Sequence, residues 1–233
     1  MEPRPPEKST TREITDTAVE VGLSLVPVVG GAFATAWAAA VGHAYSERLN
    51  DWLADLAAAV EEATRDIAEL DLTTIASNPL FLDAVAKATR AAEATHDLEK
   101  IAALRNAVLN ATLPDAPDAV YQAIFLRLVD EMTSSHLRLL ALLDDPTGWF
   151  EERDIPWPNL MMGGWSTIVE QGMPEWVGQR GFYDLIAKHL SDSGLILISG
   201  LHTTQTGGSL SQSVTSPLGK EFLRYITDPR QAT

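Results

Sequence analysis

The residues best suited to chemistry lie in the middle of the chain. Glu93-Ala-Thr-His96 sets a carboxylate and an imidazole three residues apart, the unit with which some helical bundles hold two metal ions. Such a centre takes two of these units and two further carboxylates, and no second Glu-x-x-His occurs in the 233 residues. A second group follows at once: Glu99, Arg105, Asn106 and Asn110 sit among apolar residues in a segment with helical periodicity. Around one helix axis, Phe81, Val85, Ala88 and Ala92 share a face that Glu99, Asn106 and Asn110 continue, while Leu98, Ile101, Leu104, Val108 and Leu109 lie opposite, with Arg105 among them. An amphipathic helix does not exchange faces midway. Either it breaks near His96-Asp97, or both faces are covered and the polar groups face partners, each requiring hydrogen bonds. A polar network joining helices and a pocket that binds or transforms a ligand, built from His96, Glu99, Arg105, Asn106 and Asn110, both fit this pattern.

Other chemistry finds little support. His43, His96-Asp97 and Asp130 follow the ligand order of HD-type phosphohydrolases, an order that five histidines in an acidic chain reach by chance. His43 and Glu47 are one helical turn apart and read as a surface pair. Gly-x-Ser-x-Gly, Walker, Gly-x-Gly-x-x-Gly and His-Glu-x-x-His motifs are all absent. The chain has no cysteine, which removes disulfides, thiolate nucleophiles and Cys-ligated zinc. No catalytic, cofactor-binding or metal-binding residue is therefore assigned, and no cofactor is expected.

The elements that must position these residues are helical. Residues 1–11 are Pro-rich and polar and read as a disordered lead-in. Of 31 alanines, 29 lie at or before Ala141, so residues 12–145 read as an Ala-rich bundle of long helices. The pattern predicts helices over about 12–26, 32–70, 79–113 and 119–143, with Asn78 capping the third and Pro79 at its first position. Residues 146–172 carry Trp149, Trp157 and Trp165 among prolines and glycines, an irregular connector expected to pack across the helices. Residues 173–227 read as helix, short strand LILIS, Gly207-Gly208 tip, strand and helix, with Ser216 and Pro217 opening the last helix; 228–233 form a tail. The phrase Thr215-Ser-Pro-Leu-Gly219-Lys-Glu-Phe222-Leu resembles the ending of many winged-helix domains. The fold class expected is mainly α: a helical bundle followed by a small winged-helix-like α+β subdomain.

Between Glu20 and Glu47 there are 26 consecutive residues without Asp, Glu, Lys or Arg. As a helix they would span about 39 Å, enough for a hydrocarbon core. Their apolar side chains contribute roughly −2.5 to −5 kcal/mol on an insertion scale, which Pro27, the glycines and the hydroxyls erode. Gly30, Ala34, Ala38 and Gly42 form a bare stripe, every fourth residue, where another helix can approach closely. The segment reads as a close-packing surface for self-association, with membrane engagement through residues 21–46 as the alternative.

Charge narrows the partners. The formal net charge is −15, and all of it resides in residues 1–172, with 27 acidic and 12 basic groups; residues 173–233 hold five of each. Generic binding to nucleic acid or anionic lipid is disfavoured. Arg4, Lys8 and Arg12 are outnumbered by five acids in residues 1–20, which do not read as a secretory leader. A cytoplasmic location, or the inner face of the membrane, is expected.

The LVPVVGGAFA segment leading into a long amphipathic helix, the all-helical middle and the ending TSPLGKEFLRYI together resemble the Abi-alpha type of bacterial protein, over about a third of the chain. That resemblance implies a part in abortive infection or phage defence; it carries no functional residues over. The expected function is a non-enzymatic helical interaction protein. The alternatives are a winged-helix regulator or a helical-bundle enzyme with a polar pocket around Glu99, Arg105 and Asn106. A small-molecule ligand is left unspecified.

Overall fold

The computed structural model describes residues 31–66, 75 and 77–231, with backbone alone for 31–41, 44, 66 and 231. The helix expected over 12–26, the disordered lead-in expected over 1–11 and Gly30 lie outside the described residues. The described chain is mainly helical. Its first helix, α1 (Gly31–Asp66), carries Ala34, Ala38 and Gly42. Residues from Asp55 onward form one compact unit, which runs across the composition boundary near Asp145. Within it, Ala63 of α1 packs with Ile75 and Leu109, flanked by Ala59, Val60, Phe81 and Leu113.

Two of the expected long helices are each a pair. The 79–113 segment divides into α2 (Pro79–Glu93) and α3 (Leu98–Asn110). Asn78 caps α2 by accepting from the Leu80 amide at 2.9 Å, with Pro79 at the first position. The break falls at residues 94–97, because Asp97 turns its carboxylate onto the Glu99 and Lys100 amides and starts a new helix. The exchange of faces along the segment is resolved by that break, and the second half of α3 is also covered all round: Leu104 and Ala107 are fully buried, as is Val108. The 119–143 segment divides into α4 (Ala119–Glu131) and α5 (Ser134–Asp144), with extended backbone at Met132 and Thr133. Helical periodicity continues through this second break, so spacing alone did not mark it.

The Trp-rich stretch is less irregular than its composition suggests. It holds α6 (Pro146–Glu151), β1 (Met162–Gly163) and α7 (Trp165–Gly172). Trp149 and Trp165 are buried, and the Trp149 indole donates to the Gly172 carbonyl at 2.9 Å, tying α6 to α7. Trp157 stands edge-on to Phe150 at 5.0 Å. A 3₁₀ turn (Pro174–Trp176) then leads into α8 (Arg180–Asp192), and the chain ends with α9 (Pro217–Ile226) and a second 3₁₀ turn (Pro229–Gln231).

Strand content differs from expectation. The LILIS run supplies one isolated bridge, Ile196 to Thr215, beside the bonds Leu197 N–H to Val214 C=O (2.8 Å) and Ser216 N–H to Leu195 C=O (2.9 Å). The described two-stranded sheet instead joins β1 to β2 (Gln205–Thr206), antiparallel, with Met162 opposite Thr206. Residues 198–212 thus fold back onto the stretch before α7. Gly207 serves this approach as much as a turn: a Cβ there would lie 2.0 Å from the Leu160 carbonyl oxygen.

The core gathers where α2 meets α3 and α4, and where α9 lies on α3 and α5. Ala84 and Ala88 are fully buried, and their small side chains let α2 approach its neighbours closely. Phe125 of α4 packs against Phe222 and Tyr225 of α9 at 5.6 and 5.5 Å. α8 packs on α5, and α7 on both α5 and α6.

Candidate functional site

The polar residues on α3 part into two groups. Asn106 and Asn110 are buried and face the end of α9. The last four carbonyls of a helix have no partner within it. The Asn110 amide lies within hydrogen-bond reach of three carbonyls there, Arg224 at 3.3 Å, Tyr225 at 2.8 Å and Thr227 at 2.8 Å. The Asn106 amide donates to the Ile226 carbonyl at 3.0 Å. Side chains more than a hundred residues away thus cap α9. Its buried Tyr225 hydroxyl, pushed upward in pKa by desolvation, has no hydrogen-bond partner among the described residues, nor has Asn106 Oδ1.

Glu99 and His96 are exposed and take no part in that network. Arg105 turns the other way and pairs with Asp55, Nη1 to Oδ2 at 3.1 Å. The five candidates therefore form no common pocket: two amides join helices, one guanidinium makes an ion pair, and two groups lie on the surface. His43 and Glu47 make an exposed pair at 3.4 Å on α1. Among the described residues, no three His, Asp or Glu side chains come together as a metal-ligand set.

A second assembly surrounds α8: its charges follow each other at helical spacing, but its contacts with other elements are not announced by local spacing. His136 of α5 and His189 of α8, 53 residues apart, meet edge-on with Nε2 and Nδ1 at 3.0 Å. The Thr133 amide donates to His136 Nδ1 at 3.2 Å, so His136 carries its proton on Nε2 and donates it to His189. Desolvation first, and the neighbouring His189 second, hold His136 down to about 4. Tyr183 donates to Glu170 of α7 at 3.0 Å, and burial together with that carboxylate pushes the phenol up to about 12. Asp184 accepts from His202 Nε2 at 2.7 Å and pairs with Arg180 at 3.4 Å; Lys188 pairs with Asp192 at 2.7 Å. Arg138 of α5 pairs with Glu175 and lies over the Trp176 ring. The outer side of α8 carries Phe182 at 40% and Leu185 at 67% exposure, with Val177 at 61% just before it.

The histidine pair has a pH signature. An unfolded His136 takes up its proton near the ordinary 6.5, the folded one only near about 4. The unfolded chain therefore binds more protons in that interval, and stability falls as pH drops through it. The contribution is complete above pH 6.5 and lost on approach to about 4. Urea unfolding of a His136→Gln variant is expected to show a shallower loss across this window than the wild type; equal slopes would contradict the assignment.

On α1, a Cβ added at Gly42 would meet nothing within 4 Å among the described residues. Among the described residues, no helix is long and apolar enough to cross a membrane. The histidine pair, the paired charges of α8 and the exposed apolar residues Phe182 and Leu185 are all gathered on or against this one helix. No family model, curated protein or solved structure matches this chain.

Proposed function

We propose that this chain is a non-enzymatic helical interaction protein that works through protein contacts. The observation that carries this is the outer side of α8, where Phe182 and Leu185 are exposed while both basic residues of the helix, Arg180 and Lys188, are paired with Asp184 and Asp192. A helix that reads DNA needs an excess of positive charge toward the phosphates, and here Asp184 and Asp192 on the same ridge balance the two cations. One whose face carries no excess charge and whose apolar side chains face outward suits another protein.

The succession α7, 3₁₀ turn, α8, the Ile196–Thr215 bridge and α9 supports a winged-helix-like arrangement, used here for protein contact. The stripe ending at Gly42 supports a second close-packing surface, with membrane engagement through residues 21–46 as its alternative. Likeness to Abi-alpha proteins supports a setting in bacterial phage defence, at the cytoplasmic side. The enzyme alternative loses its motive once Asn106 and Asn110 are occupied by the carbonyls of α9.

Duplex DNA titrated with the full chain at low salt tests this function. No binding is expected. Binding that disappears when Arg180 and Lys188 are both replaced by alanine would overturn the proposal in favour of a winged-helix regulator.

A further inference from the structure

We infer that the exposed face of α8 docks on the same face of a second copy of this chain, the two helices antiparallel. This rests on the protein-contact function proposed for α8 and names its partner. Four charges alternate along one ridge of the helix at every fourth residue: Arg180, Asp184, Lys188, Asp192. Read in reverse the signs interchange. An antiparallel copy whose two-fold axis crosses the exposed face at the level of residue 186 therefore sets Arg180 against the partner's Asp192 and Lys188 against the partner's Asp184, twice over by symmetry, whereas a parallel copy in register sets like charges together.

The four groups are positioned for such an exchange. Side-chain exposure is 68% for Arg180, 69% for Lys188 and 62% for Asp192, and Asp184 is oriented by His202 at 2.7 Å. Leu185 and Phe182 flank the ridge and are exposed in the single chain. Gly181 has nothing within 4 Å of where a Cβ would stand, which lets a second helix approach the backbone there. Ridges of residues four apart interdigitate in the commonest helix–helix packing.

Charge elsewhere favours the same surface. Residues 1–172 carry the whole excess of −15, so contact between copies through that part is opposed by repulsion. Residues 173–233 hold five acids and five bases, and α8 lies within them. A neutral, self-complementary face on an otherwise acidic chain selects another copy of itself over a basic or acidic partner.

Sedimentation equilibrium of the full chain over a range of concentrations, with each variant checked for an unchanged thermal melt, tests the inference. The wild type is expected to be a reversible dimer and Leu185→Glu a monomer at the same concentrations. Arg180→Asp and Asp192→Arg alone are each expected to weaken dimerisation about tenfold, since each turns two attractions into repulsions. Combined, they restore it, because the exchanged charges again face opposite signs and suit the helix dipole. A monomeric wild type, a dimer indifferent to Leu185→Glu, or a double variant as weak as its parents would overturn the inference. A dimer dissociated by Gly42→Leu but not by Leu185→Glu would also overturn it and leave protein contact standing as the function. Binding of duplex DNA through Arg180 and Lys188 would instead overturn the function.

Discussion

Replacing Gly219 with alanine is expected to destabilise the protein by about 3 kcal/mol, the upper range for overpacking, lowering the melting temperature by roughly 6–12 °C. A Cβ at this position would stand 2.1 Å from the Leu195 carbonyl oxygen and 2.6 Å from Thr215 Cγ2. Neither is the far end of a flexible side chain. The same Leu195 carbonyl accepts from the Ser216 amide at 2.9 Å, and Ser216 Oγ in turn accepts from the Gly219 amide at 3.0 Å. The first turn of α9 is thus seated directly on the 195–197 segment. Relief of the collision requires α9 to lift, which breaks the bonds from the Ser216 amide to the Leu195 carbonyl and from the Ser216 hydroxyl to the Gly194 carbonyl, and draws Phe222 and Tyr225 away from Phe125. Thermal denaturation followed by circular dichroism checks this, and a melting temperature within about 2 °C of wild type would contradict it.

The second large effect is expected at Asn110. Its alanine variant removes the donor from the buried Tyr225 carbonyl and from the Thr227 carbonyl, while the Arg224 carbonyl keeps the Thr227 amide, a loss of about 2–4 kcal/mol. The cause lies in the donor, not the side-chain volume. Asn110→Asp keeps the shape but faces those carbonyls with oxygen, so it is expected to destabilise at least as much as alanine at neutral pH. Chemical denaturation of the two variants side by side measures this. An aspartate variant as stable as wild type would show that the amide is not the cap.

Gly219 and Asn110 differ in how visible they were beforehand. Gly219 stood out because it falls in a phrase, Thr215 to Leu223, resembling the end of winged-helix domains. Asn110 stood out only as a polar residue in an apolar stretch, with its partner unknown. A buried amide demands hydrogen bonds, so a network could be anticipated from chemistry alone. Which atoms complete it depends on α9 arriving from 114 to 117 residues away. His96 and Glu99 shared the same apparent helix, but the break at residues 94–97 leaves them on the surface.

Local signals account for what was legible in the helices. Asn78-Pro79 and Ser216-Pro217 mark helix starts because the capping bond and the fixed proline backbone span only three residues. Asp97 works by the same rule and explains a break that periodicity left open. Thr133 does not declare itself as clearly: its amide is satisfied by the His136 ring, which is itself held by His189 from a distant helix.

By itself, then, the sequence determined the mainly helical character, the caps at Asn78 and Ser216, the absence of nucleophile and phosphate motifs, and the separation of an acidic part from a neutral one. These follow from composition and from contacts within one helical turn. Only the tertiary structure decided that Asn106 and Asn110 are a cap, that Arg105 belongs to Asp55, that β1 pairs with β2, and that His136 meets His189. Each of these joins groups far apart in the chain, and their closeness is set by helix packing that no local pattern encodes. The alternating charges of α8 belong to both: their order is written in the sequence, while their exposure beside Phe182 and Leu185 comes from which side of the helix the core takes.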